Sequence, residues 1–322
     1  MTALTAMNTF TINPIDYDNV TAHIDAVVPD DALSSLNGVI DVYPRDGEPY
    51  RRIPLSRSVH VMSYPIRTKV SGSPHKHVHG ESIGVFGPAE MRAFAEDIAY
   101  RLGLPLGAVL NGRVSRLDVS ANFHVDYDVD EMLHRISAPP QMEEVVFRTG
   151  TKTFSNSMRQ ITFYDKFAKL LGTGAGHLIP YGWMPGRILR VEVRFNRVGK
   201  EFGRTITVGD LCTHAFYQEA KSRWLRWVSA VKVRDGLWTV PVGGPTIPDL
   251  RNGLAAAGVV ALGGESAIVK QINADRRKGK LTSAQASRQR TYIQNLIIDG
   301  DSVEFGDTIA GTFQDAIAAA AL

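Results

Sequence analysis

Two segments of the chain alternate between apolar and polar residues in the way that half-buried β-strands do. In RVSRLDVSANF at 113–123, the odd-numbered positions from 117 onward are apolar, and Asp118 lies among the polar positions between them. In RILRVEVRFNR at 187–197, apolar residues alternate with charged ones that include Glu192. Because alternate residues of a strand point to opposite faces of a sheet, each segment predicts a strand with an apolar face and a carboxylate on the other face.

The rest of the first 205 residues combines further strands with helices. A helix is expected from Pro88, with apolar residues at helical spacing, to Gly103, a residue that suits a helix end. A second helix follows Asp128, which forms an aspartate version of the capping box with Glu131. The runs that suit strands lie at 39–43, 58–66, 82–86, 144–148 and 159–164. This order of elements predicts an α+β fold with a mixed or antiparallel central sheet and helices packed on it.

From about residue 207 the pattern becomes mainly helical. Apolar residues at helical spacing predict a long helix over 207–233. Beyond a Gly- and Pro-rich break, shorter helices are expected at 249–257, 264–276 and 282–298. The change sets a soft boundary near 206, between a domain of residues 1–205 and a helical region of residues 206–322.

Composition is typical of a globular protein without a membrane segment. Of the 322 residues, 44% are hydrophobic and 21% are charged, and the formal net charge is +3 with a pI near 8.9. The single cysteine, Cys212, leaves no intrachain disulfide and fits a cytoplasmic protein. The N-terminus lacks the charged and apolar regions of a signal peptide. The absence of an apolar run of about 18 residues predicts that no helix spans a membrane.

The two strand carboxylates, Asp118 and Glu192, are candidate ligands for a divalent cation. Each is a single acid in mid-strand, flanked by apolar residues and arginines, which is a poor position for a solvated face. Mg²⁺ and Mn²⁺ prefer carboxylate oxygens and often keep few protein ligands beside phosphate oxygens and water. The alternative is a structural role in arginine–carboxylate pairs across strands. The sequence favours the metal or active-site role but does not show that the two acids are neighbours.

Tyr164 lies two residues before Lys166, so the two side chains share a face if the chain is extended there. A phenol with a pKa near 10 is a poor nucleophile, but a cation and Lys166 would stabilise its phenolate. Attack on phosphorus would conserve the phosphodiester energy in a tyrosyl phosphate, and a nicked strand could then be resealed without ATP. The alternative is an aromatic residue packed on the sheet beside an exposed lysine. The Tyr-x-Lys pattern by itself favours that alternative.

Three histidines, His75, His77 and His79, alternate in the segment SPHKHVHG. On a strand, alternate residues share a face, so His77 and His79 are candidate ligands of one cation. A polar, solvated loop is the alternative, which the neighbouring glycines and proline support.

Basic residues are concentrated towards the C-terminus. Between 270 and 290 there are seven Lys and Arg residues and one acid, Asp275, and the segment 221–227 interleaves basic residues with two tryptophans. Such groups suit contacts with phosphates and base edges, although a solvated helix face with buried tryptophans would have the same pattern. The candidate DNA-binding residues are Lys76, Arg116, Arg190, Arg194, Arg223, Arg276, Arg277, Lys278 and Arg288.

Four segments, in order, resemble the gene II replication initiators of filamentous phages. SPHKHVHGESIGVFG, SRLDVSANF, TFYDKF and LRVEVRF are similar to that family's Ser-Pro-x-Lys, Arg-(Ile/Leu)-Asp, Tyr-x-Lys and Arg-x-Glu-x-Arg segments. A weaker fifth match, SAQASRQRTYIQNLIIDGDS, is similar to a basic helix that ends in Gly-Asp. Each motif is loose, but their order over about 74–300 is fairly specific.

The resemblance implies a rolling-circle initiator that nicks one strand of an origin duplex and later rejoins the displaced strand. It makes Tyr164 the nucleophile, Lys166 its partner, and Asp118 and Glu192 the acids of a site for Mg²⁺ or Mn²⁺. Residues 1–205 would hold the nicking and joining activity, and the helical region would help to recognise the origin duplex.

The histidine ligands follow less directly from the resemblance. Related rolling-circle initiators use a His-apolar-His pair, which favours His77 and His79. The family often has Gly-His-Asn where this chain has Gly80-Glu81-Ser82, so Glu81 is an alternative ligand.

The resemblance also implies partners: origin DNA as duplex and as single strand, and a host helicase and polymerase, in the host cytoplasm. A second tyrosine that acts in termination would be Tyr181, Tyr217 or Tyr292. Two other classes stay open, a DNA-binding regulator with the same fold and no cleavage, and a metal-dependent phosphodiesterase that uses water.

Overall fold

The computed structural model describes residues 15–125, 127–148, 150–233 and 264–298. These residues fall into two compact units, one within 15–232 and one that contains 264–298. A large antiparallel sheet with helices forms the first unit, and two helices lie in the second. The predicted α+β class with a helical C-terminal region is confirmed.

Ten strands of the described chain form one sheet in which every pair of neighbours is antiparallel. They are β1 (Asp16–Ile24), β2 (Ile40–Val42), β3 (Tyr50–Pro54), β4 (Val59–Ser63), β5 (Thr68–Gly72), β6 (Arg113–His124), β8 (Glu143–Arg148), β9 (Thr151–Ser155), β10 (Arg159–Asp165) and β11 (Ile188–Phe195), with β7 (Ile136–Ser137) and β12 (Lys232–Val233) in a separate pair. The spatial order is β2-β3-β4-β5-β1-β6-β11-β10-β9-β8. The two segments that alternate most clearly in sequence are therefore central neighbours, β6 and β11.

The helices of the first unit are α1 (Asp30–Ser35), α2 (Pro74–His79), α3 (Pro88–Leu102), α4 (Leu106–Leu110), α5 (Val129–Arg135), α6 (Lys166–Gly172), α7 (Val198–Phe202), α8 (Val208–Leu211) and α9 (His214–Val228). The second unit contains α10 (Gly264–Arg277) and α11 (Ser283–Ile298). No helix within the described ranges is both long and apolar enough to cross a membrane.

Helices cover the apolar face of the sheet. The ring of Trp224 on α9 stacks on Phe123 of β6, with 5.9 Å between ring centroids. Helix α3 buries Met91, Phe94 and Ile98, which the 3.6-residue period places on one side. This packing leaves the opposite, polar face of β6 and β11 for chemistry.

Several predicted elements have different limits in the structure. The expected helix over 207–233 is two helices, because the Thr213 side chain caps a new start by accepting from the Phe216 amide. The run at 82–86 is not a strand, and the predicted helix at 249–257 lies outside the described residues. Helices α10 and α11 match their predictions, and Thr282 is the residue before α11 that accepts from the Gln285 amide.

Helix α9 packs on strands β6 and β11, and α8 packs on α3, α4 and α9, so the compact unit continues to Lys232 rather than stopping near 206. The division of activities between residues 1–205 and 206–322 stays a prediction.

Strand β1, which the sequence pattern did not predict, contains a β-bulge at Asp18. Tyr17 pairs with Val119 and Asn19 pairs with Asp118, so Asp18 is an extra residue on the β1 side. Bulges of this kind re-aim a side chain and are frequent near active sites. The bulge allows Asp18 to join the polar face of the sheet, where it meets Arg190.

Candidate functional site

Three neighbouring strands place polar side chains on one face of the sheet. In the β10–β11 register, Tyr164 is opposite Arg190 and Thr162 is opposite Glu192. In the β11–β6 register, Arg190 is opposite Asn122, Glu192 is opposite Ser120, and Arg194 is opposite Asp118. The alternation of β6 and β11 thus assembles a continuous polar surface.

Arg190 is the centre of this surface and is fully buried. Its Nη2 donates to Ser120 Oγ at 2.7 Å, its Nη1 to Asn122 Oδ1 at 3.0 Å, and its Nε to Glu192 Oε1 at 2.9 Å. It also forms an ion pair with Asp18, with 3.4 Å between Nη2 and Oδ2. A buried arginine is tolerated only when it is paired in this way. We call these five residues, together with Tyr164, the Arg190 cluster.

Tyr164 donates its hydroxyl hydrogen to Glu192 Oε1 at 2.7 Å. Burial raises the pKa of Tyr164 well above its ordinary value, and the negative charge of Glu192 adds to the shift, while Arg190 opposes it. The side chain is therefore a protonated phenol, and a carboxylate oxygen is already in position to accept its proton.

Two carboxyl groups meet beside Arg190. Those of Asp18 and Glu192 lie close enough to share a hydrogen bond. Burial raises the pKa of Glu192, and the charge of Asp18 raises it further. Burial is the largest single influence on Asp18 and acts to raise its pKa, but Arg190, the hydrogen bond with Glu192 and the charges of two lysines together hold that pKa below its ordinary value. Glu192 is therefore the more basic of the two carboxyl groups, and Asp18 is the more acidic.

Lys166 and Ser82 close one side of the cluster. Lys166 Nζ donates to Ser82 Oγ at 2.9 Å, and the Ser82 carbonyl accepts from Arg190 Nη1 at 3.3 Å. Burial, reinforced by the nearby charge of Arg190, lowers the pKa of Lys166 to about 8. Near neutral pH the ammonium form still predominates, so Lys166 adds positive charge near Arg190 and Asp18.

Asp118 lies next to this cluster but has its own partners. Its carboxylate accepts from Arg116 at 2.9 and 2.7 Å and from Arg194 Nε at 3.3 and 3.1 Å. In the sheet it is opposite Arg194, diagonal to Glu192. Asp118 and Glu192 are thus neighbours on the same face, and the structural reading of Asp118, an arginine–carboxylate pair across strands, describes its contacts.

The histidines do not alternate on a strand, because residues 74–79 form helix α2. A helix brings residues four apart to the same side, so the rings of His75 and His79 lie 5.4 Å apart. His77 points elsewhere and contacts Asp97 Oδ2 through Nε2 at 2.9 Å. The expectation that His77 and His79 share a face is therefore wrong. His75 is buried, and burial, with the charge of Arg190, lowers its pKa to about 4.

The expected ligands Asp118, Glu192, His77 and His79 do not converge as a set. Within the described part of the chain, no group of three or more His, Cys, Asp or Glu side chains has the arrangement of a metal site. The carboxyl pair of Asp18 and Glu192 is nevertheless suited to Mg²⁺ or Mn²⁺, since Mg²⁺ often binds one or two carboxylates and completes its shell with water and substrate phosphate.

Asp16 and Asp18 are the acidic residues near the site that sequence reasoning missed. Asp16 is buried, accepts from the Phe86 amide at 2.9 Å, and burial raises its pKa to about 7. A signal for the strand was present. Apolar residues fall at 15 and 17 and then at 20, 22 and 24, and this change of phase is what a bulge at 18 produces.

The candidate DNA-binding residues differ in exposure. Arg190 lies inside the cluster rather than on the surface, and Arg116 and Arg194 are about one-third exposed while paired with Asp118. Lys76 is close to Glu81, with 3.6 Å between Nζ and Oε2, and Arg223 lies over the Phe202 ring. Arg276, Arg277, Lys278 and Arg288 are exposed on α10, the turn after it and α11.

The other candidate tyrosines differ in their environments. Tyr217 donates to the Ile15 carbonyl at 2.6 Å, and burial raises its pKa to about 12. Tyr181 is fully exposed and Tyr292 is half-exposed.

Neither protein-family models nor curated proteins match this chain.

Proposed function

We propose that this chain is a replication initiator that nicks one strand of DNA at an origin through Tyr164 and later rejoins the displaced strand. The observation that carries the proposal is the 2.7 Å hydrogen bond from the Tyr164 hydroxyl to Glu192 Oε1. It joins a candidate nucleophile to a candidate base. The cation Arg190 donates to the same Glu192 oxygen, and Lys166 lies near Arg190 and Asp18.

In the proposed reaction, the Tyr164 oxygen attacks the scissile phosphorus as its proton passes to Glu192. The bond between the tyrosine oxygen and phosphorus forms, the bond from phosphorus to the 3′ oxygen breaks, and that oxygen takes up, through water, the proton that Glu192 has accepted. The products are a 5′-phosphotyrosine and a free 3′-OH, and the reverse reaction joins a strand. Activation by an adjacent base is the usual solution for a weak oxygen nucleophile.

Positive charge is needed where the phosphate accumulates negative charge. Arg190 and Lys166 are held in place by Ser82, Ser120 and Asn122, so the charge is already oriented before the substrate arrives. Charge that is fixed in advance in a water-poor site is a large source of rate enhancement.

Asp18 and Glu192 are the residues that would hold a divalent cation. When bound, Mg²⁺ or Mn²⁺ would act as a Lewis acid that polarises the scissile phosphate. The chain's own contribution is to supply two adjacent carboxyl groups and the arginine that orients them.

The second unit is the proposed contact with the origin duplex. Its exposed basic residues, including Arg276, Arg277 and Arg288, occupy α10 and α11. Such residues suit the phosphate contacts that position a protein on duplex DNA.

One observation favours a second candidate, a DNA-binding regulator that does not cleave. Glu192 Oε1 is already held by Arg190, and Asp118 is held by Arg116 and Arg194. A cluster in which the acids are paired internally can be structural. Formation of a covalent adduct distinguishes the two functions.

The test is to incubate the protein and Mg²⁺ with supercoiled origin plasmid and with single-stranded fragments of the origin, and then to digest with trypsin. Cleavage after Arg159 and Lys166 releases the peptide Gln160–Lys166, in which Tyr164 is the one tyrosine. We expect this peptide to carry the nucleotide adduct and Tyr164→Phe to bind DNA without forming it.

Tyr181→Phe serves as the control, since it removes an exposed phenol and should leave the adduct unchanged. An adduct in the Tyr164→Phe variant, or one on another peptide, would refute the role of Tyr164. Cleavage without any adduct would instead indicate a phosphodiesterase that uses water, and binding without cleavage would indicate the regulator.

A further inference from the structure

The segment 173–187, between α6 and β11, exposes several large apolar side chains. We call it the aromatic loop. Tyr181 has a relative exposure of 107%, and Met184 and Leu178 are exposed at 51% and 39%. With Leu171, they are four of the thirteen large hydrophobic residues that the described chain exposes. Exposed apolar groups gathered in this way mark interaction surfaces.

The loop is attached directly beside Tyr164. Asp165, the next residue, accepts from the backbone amides of Phe167 and Ala168 at 2.8 and 3.1 Å, at the start of α6. The same carboxylate accepts from the amide of Gly186, at the end of the loop. The Asp165 side chain therefore holds both ends of the segment 166–187 next to Tyr164, the proposed nucleophile.

The positive charge of the segment 166–187 is complementary to a polyanion. Residues 166–187 include Lys166, Lys169 and Arg187, and they contain no Asp or Glu. An acidic protein surface would be attracted by the same charge, but the exposed aromatic ring of Tyr181 also suits the stacking of unpaired bases, so we favour a single strand.

The loop also has the right reach. Tyr181 is five positions before Gly186, so its Cα atom lies at most about 18 Å from the Cα atom of Gly186. A single strand whose phosphate is at Tyr164 can place its neighbouring bases within that distance.

We propose that the aromatic loop binds the unpaired bases of single-stranded DNA next to the scissile phosphate, with Tyr181 as a stacking platform. The inference rests on the proposed function, which it deepens by naming the strand form that the site accepts. Stacking is largely insensitive to sequence because every base has an aromatic face. The loop would therefore hold the strand, and sequence would be read elsewhere.

The experiment measures binding in the Tyr164→Phe background, where no covalent adduct forms, using fluorescence anisotropy of a labelled oligothymidylate. Tyr181→Ala should weaken binding on the order of tenfold, as expected for the loss of one stacked base. Tyr181→Phe should bind within about twofold of the parent, because it keeps the ring. Tyr100→Ala, which removes a tyrosine that is 88% exposed on α3, should have no effect.

Three results with the oligothymidylate would overturn the inference. They are binding by Tyr181→Ala equal to the parent, failure of the parent to bind the oligothymidylate, and an equal loss for Tyr181→Phe, which would point to the hydroxyl. The same variants are also tested on a duplex of equal length. A loss as large on the duplex would show a contact with the backbone instead of unpaired bases.

This outcome is independent of the chemistry at Tyr164. If the wild-type protein binds the oligothymidylate through Tyr181 but forms no adduct, the nicking proposal fails and the loop assignment stands. If an adduct forms but Tyr181→Ala binds normally, the reverse holds.

Discussion

The Arg190 cluster and the basic turn, formed by Arg276 and Arg277 at the end of α10 and by Lys278 after it, both contain arginine but differ in exposure to solvent. Arg190 is fully buried, and its donors meet Asp18, Glu192 and neutral acceptors at fixed distances. Arg276 and Arg277 project into solvent. A buried charge depends on each of its partners, whereas an exposed one is screened by salt within about 10 Å at 0.1 M. The comparison suggests that a function of the Arg190 cluster depends on exact side-chain geometry. A function of the basic turn would depend instead on salt-dependent attraction of an anion, which tolerates changes in geometry.

The largest effect on stability should come from Arg190→Met. The substitution leaves the acids Asp18 and Glu192 buried without their counter-charge, and removal of one partner from a buried pair costs about 3–5 kcal/mol. Urea denaturation followed by tryptophan fluorescence measures the change in the free energy of unfolding.

The matched control is Arg276→Met, the same substitution at an exposed position. It should change the free energy of unfolding by no more than about 0.5 kcal/mol. Equal losses in the two variants would erase the difference between buried and exposed charge on which the comparison rests.

Variants of the two strand acids, Glu192 and Asp118, should differ in whether they mainly reduce nicking or stability. Glu192→Gln removes the group that accepts the Tyr164 proton, so nicking should fall on the order of 10²–10⁴-fold. Asp118→Asn breaks contacts with Arg116 and Arg194 instead, so we expect a stability loss of about 1–3 kcal/mol and a smaller loss of nicking. Nicking of supercoiled origin plasmid and urea denaturation report the two effects.

Glu96→Gln controls for the loss of a carboxylate, since Glu96 is about half-exposed on α3 and pairs with Arg92. Normal nicking by Glu192→Gln would exclude Glu192 as the base. A greater loss of nicking in Asp118→Asn than in Glu192→Gln would indicate that Asp118, and not Glu192, is the more important acid for nicking.

The smallest effect on stability, and the clearest effect of salt, belongs to the basic turn. Replacing Arg276, Arg277 and Lys278 with Ala should leave unfolding nearly unchanged but should weaken binding to origin duplex. Each lost phosphate contact should reduce the slope of log affinity against log salt by about 0.9. Titrations at several salt concentrations measure this slope, and an unchanged slope would show that the turn is an ordinary solvated surface.

Much of the fold could be predicted from local patterns. The period of two in 113–123 and 187–197 predicted β6 and β11, and apolar spacing between Pro88 and Gly103 predicted α3. The alternating histidines led to the wrong prediction of a strand. The segment is a helix, because Ser73 caps it by accepting from the Lys76 amide and Pro74 occupies its first turn. The short polar segment had features of both structures, and local spacing alone did not decide between them.

By itself, the sequence determined the α+β class, the strands that carry Asp118 and Glu192, and the closeness of Tyr164 to Lys166. These follow from periodicity and from positions near one another in the chain. Only the tertiary structure decided which side chains meet. The register of β10, β11 and β6 puts Glu192 beside Tyr164, and the bulge in β1 brings Asp18 to Arg190. The physical reason is that strand register and ion pairing join residues that are far apart in the chain. The free energy of each ion pair depends on how deeply it is buried, and burial cannot be predicted from local sequence patterns.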